Sequence, residues 1–185
     1  MEEIIYGYGG KKYTVEKLKD LCPSSSEITD QNKIERETHR LKIYNSERYN
    51  SQVENLPGEI WVRLSQKGWE RIFVSNQARI KYLKDDGNFE FLNQDEDPSI
   101  SDFGYLVIDP EKKYPELHKL ISKGYPRYPR YPRVYKLVAM AFLGKDEYEG
   151  DGSVIHHIDN NGYDNRPENL IWLTEEEHNQ IHSSK

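Results

Sequence analysis

Four of the chain's six histidines fall in one short segment, at His156, His157, His178 and His182. Their types and spacing suit two jobs. His178 and His182 are four residues apart, so on a helix their rings share one face and can chelate a single ion. With His156 they make three imidazoles that leave positions open for water or a phosphate oxygen, the pattern of a catalytic metal site rather than a closed structural one. His157 has an ordinary imidazole pKa near ~6.5, can take a proton from water at neutral pH, and is the candidate general base.

Such side chains need a frame. Val154-Ile155 reads as a short strand ending in the histidine pair, and neighbours on a strand point to opposite faces, so one ring can serve a metal while the next faces a reacting atom. Asn160-Asn161-Gly162 is a turn signal and Asp164 to Pro167 prolongs the loop; Asp159, Asp164 and Asn165 are read as turn residues. Leu170-Ile171-Trp172-Leu173 is a second strand. Thr174 then caps a helix, with Glu177 placed for a capping box and Glu175 and Glu176 suited to the positive helix start.

This run, VIHHIDNNGYDNRPENLIWLTEEEHNQIH from Val154 to His182, resembles the ββα-metal motif of the HNH endonuclease family. The resemblance puts His156 at the first metal position, His157 on the general base, Asn169 on the central asparagine, and His178 and His182 on the metal positions of the helix. It implies metal-dependent hydrolysis of DNA to a 5′-phosphate and a 3′-hydroxyl. Asn169 is expected to orient His157 or to brace the loop. Upstream, RVYKLVAMAFLG, Arg133 to Gly144, is similar to the helix preceding the motif in phage-borne and homing-type members, with Tyr135 where those often carry histidine. Gly58 to Leu83 resembles the small modular DNA-binding segment of the same nucleases, and Phe103 to Ile108 the strand that follows it. Residues 1–55 resemble no family.

One divalent metal ion is expected as cofactor. Three imidazoles suit Zn²⁺, Ni²⁺ or Co²⁺, whereas a bound substrate phosphate would add oxygens that suit Mg²⁺ or Mn²⁺.

A formal net charge of −6 sits awkwardly with a DNA partner, because affinity comes largely from neutralising phosphates. The distribution answers this. Ile60 to Lys84 carries six basic residues against one acidic, and Lys112 to Lys136 eight against one, with acid gathered in Asp85 to Asp102 and Asp146 to Asp151. Two basic stretches with a repelling back suit a DNA-facing surface; solvated faces are the alternative. Candidate nucleic-acid contacts are Arg63, Lys67, Arg71, Arg79, Lys81, Arg127, Arg130, Arg133 and Lys136. The repeat Tyr125-Pro-Arg, Tyr128-Pro-Arg, Tyr131-Pro-Arg favours a polyproline II strut with arginines about 9 Å apart, able to follow a phosphate backbone or to act as a rigid spacer.

A chain of 185 residues, 31% charged and 35% hydrophobic, holds one domain or two small ones with a modest core. Its one cysteine, Cys22, allows no disulfide or cysteine-zinc framework within the chain and fits a reducing cytoplasm; no leader or membrane span is read. Tyr13 to Leu21 has helical spacing through Val15, Leu18 and Leu21, a second helix is expected at about Gln31 to Tyr44, and Ser46 to Asn55 reads as linker. Strands are expected at Ile60–Val62, Arg71–Val74, Arg79–Tyr82 and Tyr105–Val107, and a helix at Val134 to Phe142.

The expected architecture is α+β: a small antiparallel β-rich module followed by a C-terminal ββα-metal nuclease domain. Its divisions are residues 1–55, an amino-terminal region with helices able to bind DNA; 58–108, the β-rich module; 109–133, a basic linker; and 134–185, the nuclease domain. Double-stranded DNA is the expected partner and a membrane is not. A monomer should nick and a symmetric homodimer should cut both strands. The alternatives are a DNA-binding or regulatory protein with a structural metal site, and a nonspecific nuclease.

Overall fold

The computed structural model describes residues 3–22, 38, 54–97, 105–124, 130–144 and 152–183. The second amino-terminal helix, most of the linker before residue 56, the Tyr-Pro-Arg repeat up to residue 129 and the acidic run at 146–151 lie outside the described residues.

A tiny hairpin opens the described chain, β1 (Ile5–Tyr6) against β2 (Lys12–Tyr13), turning through Gly9 and Gly10 at positive φ. Thr14 accepts a hydrogen bond from the Lys17 amide and so starts α1 (Val15–Leu21). Leu18 is buried whereas Leu21 is exposed, so the inward face of α1 runs from Leu18 to Cys22, one turn further on.

Next comes an antiparallel meander: β3 (Trp61–Arg63), β4 (Ile72–Ser75), β5 (Ile80–Leu83) and β6 (Phe89–Phe91), paired in that order. Three of these strands fall within a residue or so of the expected positions; β6 was not foreseen. Asp86 and Gly87 make its turn, Asp86 Oδ1 accepting from the Asn88 amide while Gly87 takes positive φ. Ile72, Val74, Ile80 and Tyr82 alternate onto the buried face. On the other face the register lines up Arg63, Phe73, Lys81 and Phe91.

β7 (Asp95–Glu96) pairs with β8 (Leu106–Val107). The stretch at 109–133 expected as a linker is instead largely helical. Asp109 caps α2 (Pro110–Lys113), and α3 (Pro115–Gly124) buries Leu117 and Ile121, four residues apart on one face. Lysines on the outer side made this amphipathic segment look like a basic tether. α4 (Val134–Phe142) has the expected bounds and is buried on nearly every side, at Val134, Tyr135, Leu137, Val138, Ala139 and Met140.

The carboxy-terminal unit is β9 (Val154–His157), a loop, a 3₁₀ turn at Pro167–Asn169, β10 (Leu170–Leu173) and α5 (Glu175–His182), with β9 and β10 antiparallel. The α+β class and the carboxy-terminal strand-strand-helix order stand. One apolar cluster runs from Leu64, Ile72 and Ile80 of the meander through Leu117 and Ile121 to Leu137, Val138 and Leu170. A second joins Ile5, Leu18 and Cys22 to Ile171, Leu173 and Ile181.

Candidate functional site

Antiparallel pairing sets Leu170 opposite His157 and Ile171 opposite His156. Because the strand is pleated, the two histidines leave it on opposite sides. On one side the His156 ring lies edge-on to His178 and His182, its centroid 5.5 and 5.1 Å from theirs, and the two helix rings are 4.5 Å apart. On the other, His157 packs against Tyr105 at 5.8 Å and Tyr135 at 5.3 Å.

The start of α5 positions its two rings. The Glu177 amide donates to Thr174 Oγ1 at 3.2 Å and Glu177 Oε2 accepts from the Thr174 amide at 2.6 Å, a complete capping box. His178 and His182 follow at successive turns and face β9.

The histidine cluster has the chemistry of a cation site. His156 is 3% exposed and its Nε2 has no hydrogen-bond partner among the described residues. An unsatisfied buried polar atom costs about 1–3 kcal/mol, a cost that a bound cation removes. Burial first, then His182 and His178, push the His156 pKa down to about 3, and burial lowers His178 and His182 as well. Neutral imidazole is the form that binds metal. Neutral rings suit a divalent ion that accepts nitrogen donors, and the structure brings the donor atoms of His156 and His182 within 4.8 Å of each other, a group that does not include His178.

Sequence reasoning missed a sulfur beside them. Cys22 Sγ is 4.0 Å from His182 Nδ1, and donor atoms of Cys22, His156 and His182 all lie within 4.8 Å of one another. A single cysteine rules out a cysteine-only framework but not a mixed Cys/His set. The local signal was the four-residue spacing from Leu18, which puts Cys22 on the inward face of α1.

His157 is held from the loop. Its Nε2–H donates to Asn165 Oδ1 at 2.8 Å, which fixes the tautomer and leaves the lone pair on Nδ1. Burial pushes its pKa below the ordinary imidazole value, against the Asn165 hydrogen bond and the carboxylates of Asp159 and Asp164, which pull it upward. The neutral, basic form is thus the resident one at pH 7.

Of the two roles expected for Asn169, the structure displays the brace. Its Nδ2 donates to Asp159 Oδ1 and to the Asp164 carbonyl, each at 2.8 Å, and its Oδ1 accepts from the Asp159 amide at 3.2 Å. Asn165, read as a turn residue, is the one that touches His157. Asp159 and Asp164 do shape the loop: Asp159 accepts from the Asn161 amide at 2.9 Å, and Asp164 forms a two-point ion pair with Arg166 at 2.8 and 2.6 Å.

The candidate nucleic-acid contacts divide. Arg63 and Lys67 are exposed, Arg63 donating to the Glu70 carbonyl at 2.6 Å. Arg71 pairs with Asp85. Two of them are buried. Arg79 is 1% exposed, paired at 2.6 Å with the equally buried Glu59 and stacked on Phe91, so its charge is spent inside the protein. Lys81 is enclosed by Trp61, Phe89 and Phe91, its Nζ 4.1, 4.5 and 5.7 Å from their ring centres, and burial lowers its pKa. Arg130 is exposed with Glu111 at 3.0 Å. Arg133 lies over Tyr105 and donates to Tyr135 Oη at 3.1 Å, so it buttresses the two rings that flank His157. Lys136 is half-buried on α4, and Arg127 lies outside the described residues.

Residues 136–180 match the family model described as HNH endonuclease. An uncharacterized HNH endonuclease of Acanthamoeba polyphaga mimivirus is 27% identical over 122 residues, 66% of this chain. The chain spans 25% of the length of that relative. No solved structure matches. The strand-strand-helix segment from α4 to α5 is therefore similar to HNH endonucleases. Among the described residues no helix is long and apolar enough to cross a membrane.

Proposed function

We propose that this chain is a metal-dependent DNA endonuclease of phage, mobile-element or restriction type, with His157 as general base and His156, His178 and His182 as metal ligands. One observation carries the reading: adjacent histidines leave β9 on opposite sides, one into a cluster of neutral imidazoles and the other onto a fixed hydrogen-bond acceptor.

A phosphodiester resists hydrolysis because its charge repels hydroxide and its 3′-oxygen leaves poorly. His157 Nδ1 takes the proton of a water as that oxygen bonds to phosphorus and the bond to the 3′-oxygen breaks. Asn165 keeps Nδ1 as the accepting atom by holding the proton on Nε2. Asn169 ties the two ends of the loop so that Asn165 stays in place. A divalent ion, when bound, supplies positive charge that offsets the charge growing on the phosphate and the leaving oxygen. The exposed Arg63 and Lys67 are available to the sugar-phosphate backbone, and the partner is double-stranded DNA.

Supercoiled plasmid incubated with Mg²⁺, Mn²⁺, Ni²⁺, Zn²⁺ or chelator tests the reading. The expected product is metal-dependent and bears nicks that DNA ligase reseals, which requires a 5′-phosphate next to a 3′-hydroxyl. Intact plasmid with every metal, while the protein still binds DNA, contradicts the nuclease; nicks that ligase cannot seal contradict the assigned bond cleavage.

A further inference from the structure

Cys22 is the one cysteine of the chain, and it arrives at the histidine cluster from α1, outside the matched family segment at 136–180. We propose that Cys22 is a metal ligand together with His156 and His182, whose donor atoms lie beside it, so that a fourth position stays open for a phosphate oxygen, the site takes a thiolate-accepting ion such as Zn²⁺ or Co²⁺, and the metal ties the amino-terminal helix to the ββα unit. The proposal rests on the metal-site reading above.

Three observations converge. The first is distance. Sulfur and nitrogen donors on one tetrahedral zinc stand about 3.5 Å apart, given Zn–S near ~2.3 Å and Zn–N near ~2.0 Å. Cys22 Sγ and His182 Nδ1 are already 4.0 Å apart, and the donor atoms of Cys22, His156 and His182 lie within 4.8 Å of one another. The second is the buried Nε2 of His156, which has no hydrogen-bond partner among the described residues although its ring lies 5.1 Å from that of His182. The third is framing: Leu18, Cys22, Ile171, Leu173 and Ile181 share one apolar cluster, so α1 and α5 hold both donors from a common packed base.

The donor chemistry gives the site a preference. Thiolate with imidazole selects zinc and cobalt over magnesium, which demands oxygen ligands. Chelation would then loosen α1 as well as empty the site, because a ligand from each element is released.

Co²⁺ titration of the full chain reads this directly through the near-ultraviolet thiolate-to-cobalt charge-transfer band. The wild-type complex should show the band; Cys22→Ser should lose it and bind Co²⁺ at least ~10-fold more weakly, the lower figure for loss of even an outer-shell partner. X-ray absorption at the zinc edge of the unmodified protein should show one sulfur neighbour, which covers the case of a variant that fails to fold. A wild-type complex with no such band and only nitrogen or oxygen neighbours overturns the proposal, as does a chain that binds neither ion. Since plasmid cleavage is scored separately, cleavage without the band removes Cys22 and leaves the nuclease standing, whereas the band without cleavage does the reverse.

Discussion

His157 and the two asparagines near it divide catalysis from architecture. Asn165 touches the imidazole through one hydrogen bond, whereas Asn169 makes its contacts to Asp159 and the Asp164 carbonyl. Asn165→Ala should therefore lower kcat by at least ~10-fold, below the ~10²–10⁴ of a whole general base, with KM little changed, whereas Asn169→Ala should leave kcat of the folded protein near that of the wild type. Each should cost about 1–3 kcal/mol of stability in urea unfolding, because both side chains are buried and leave buried partners behind. If the two variants behave alike in kcat, the division is wrong. The histidines also make a pH prediction. His156, His157, His178 and His182 all have folded pKa values below the ordinary one, with His156 at about 3. Below about pH 6.5 the unfolded chain binds protons that the folded state resists, so stability present at neutral pH is lost as pH falls from there toward 3. Chelator-treated protein should melt at a lower temperature at pH 5 than at pH 7.5; an unchanged melt contradicts the buried neutral cluster. The quartet of histidines was legible because helix spacing and strand alternation are local rules. Which asparagine meets His157, and that Cys22 meets His182, depend on how a loop closes and how α1 docks, which no local spacing encodes.

The elements that carry these residues were read most accurately where pattern and punctuation agree. α4 and β10 have the expected bounds, and Thr174 and Glu177 make the expected capping box. β6 and α3 were missed for a shared reason: acid in one and lysine in the other masked short apolar pairs, Phe89 with Phe91 and Leu117 with Ile121. Arg79 and Lys81 show the opposite failure, since basic residues on a strand signalled a surface while Glu59 and three aromatic rings enclose them. The cap itself is testable. Thr174→Ala removes the acceptor for the Glu177 amide and should destabilise the protein by about 1 kcal/mol, read as a shift in urea midpoint, with Thr174→Ser restoring it. An unshifted midpoint would mean that packing of Ile181, not the cap, holds the helix.

Across the whole molecule, the continuous core is what the sequence did not disclose. The division into a DNA-binding module and a nuclease domain came from family resemblance, and α4 packs against both the meander and the ββα unit. Leu137→Ala, at a position with no exposed surface, should cost about 2–5 kcal/mol and lower a single unfolding transition shared by both units. Two separate transitions would restore the domain boundary. The central claim, that His157 is the base of a metal-dependent nuclease, is tested most directly by comparing wild type with His157→Ala on supercoiled plasmid under the best metal, with DNA and metal binding measured for both. The account predicts a rate loss of about 10²–10⁴-fold with binding of DNA and metal retained. Equal cleavage by the two proteins would contradict it.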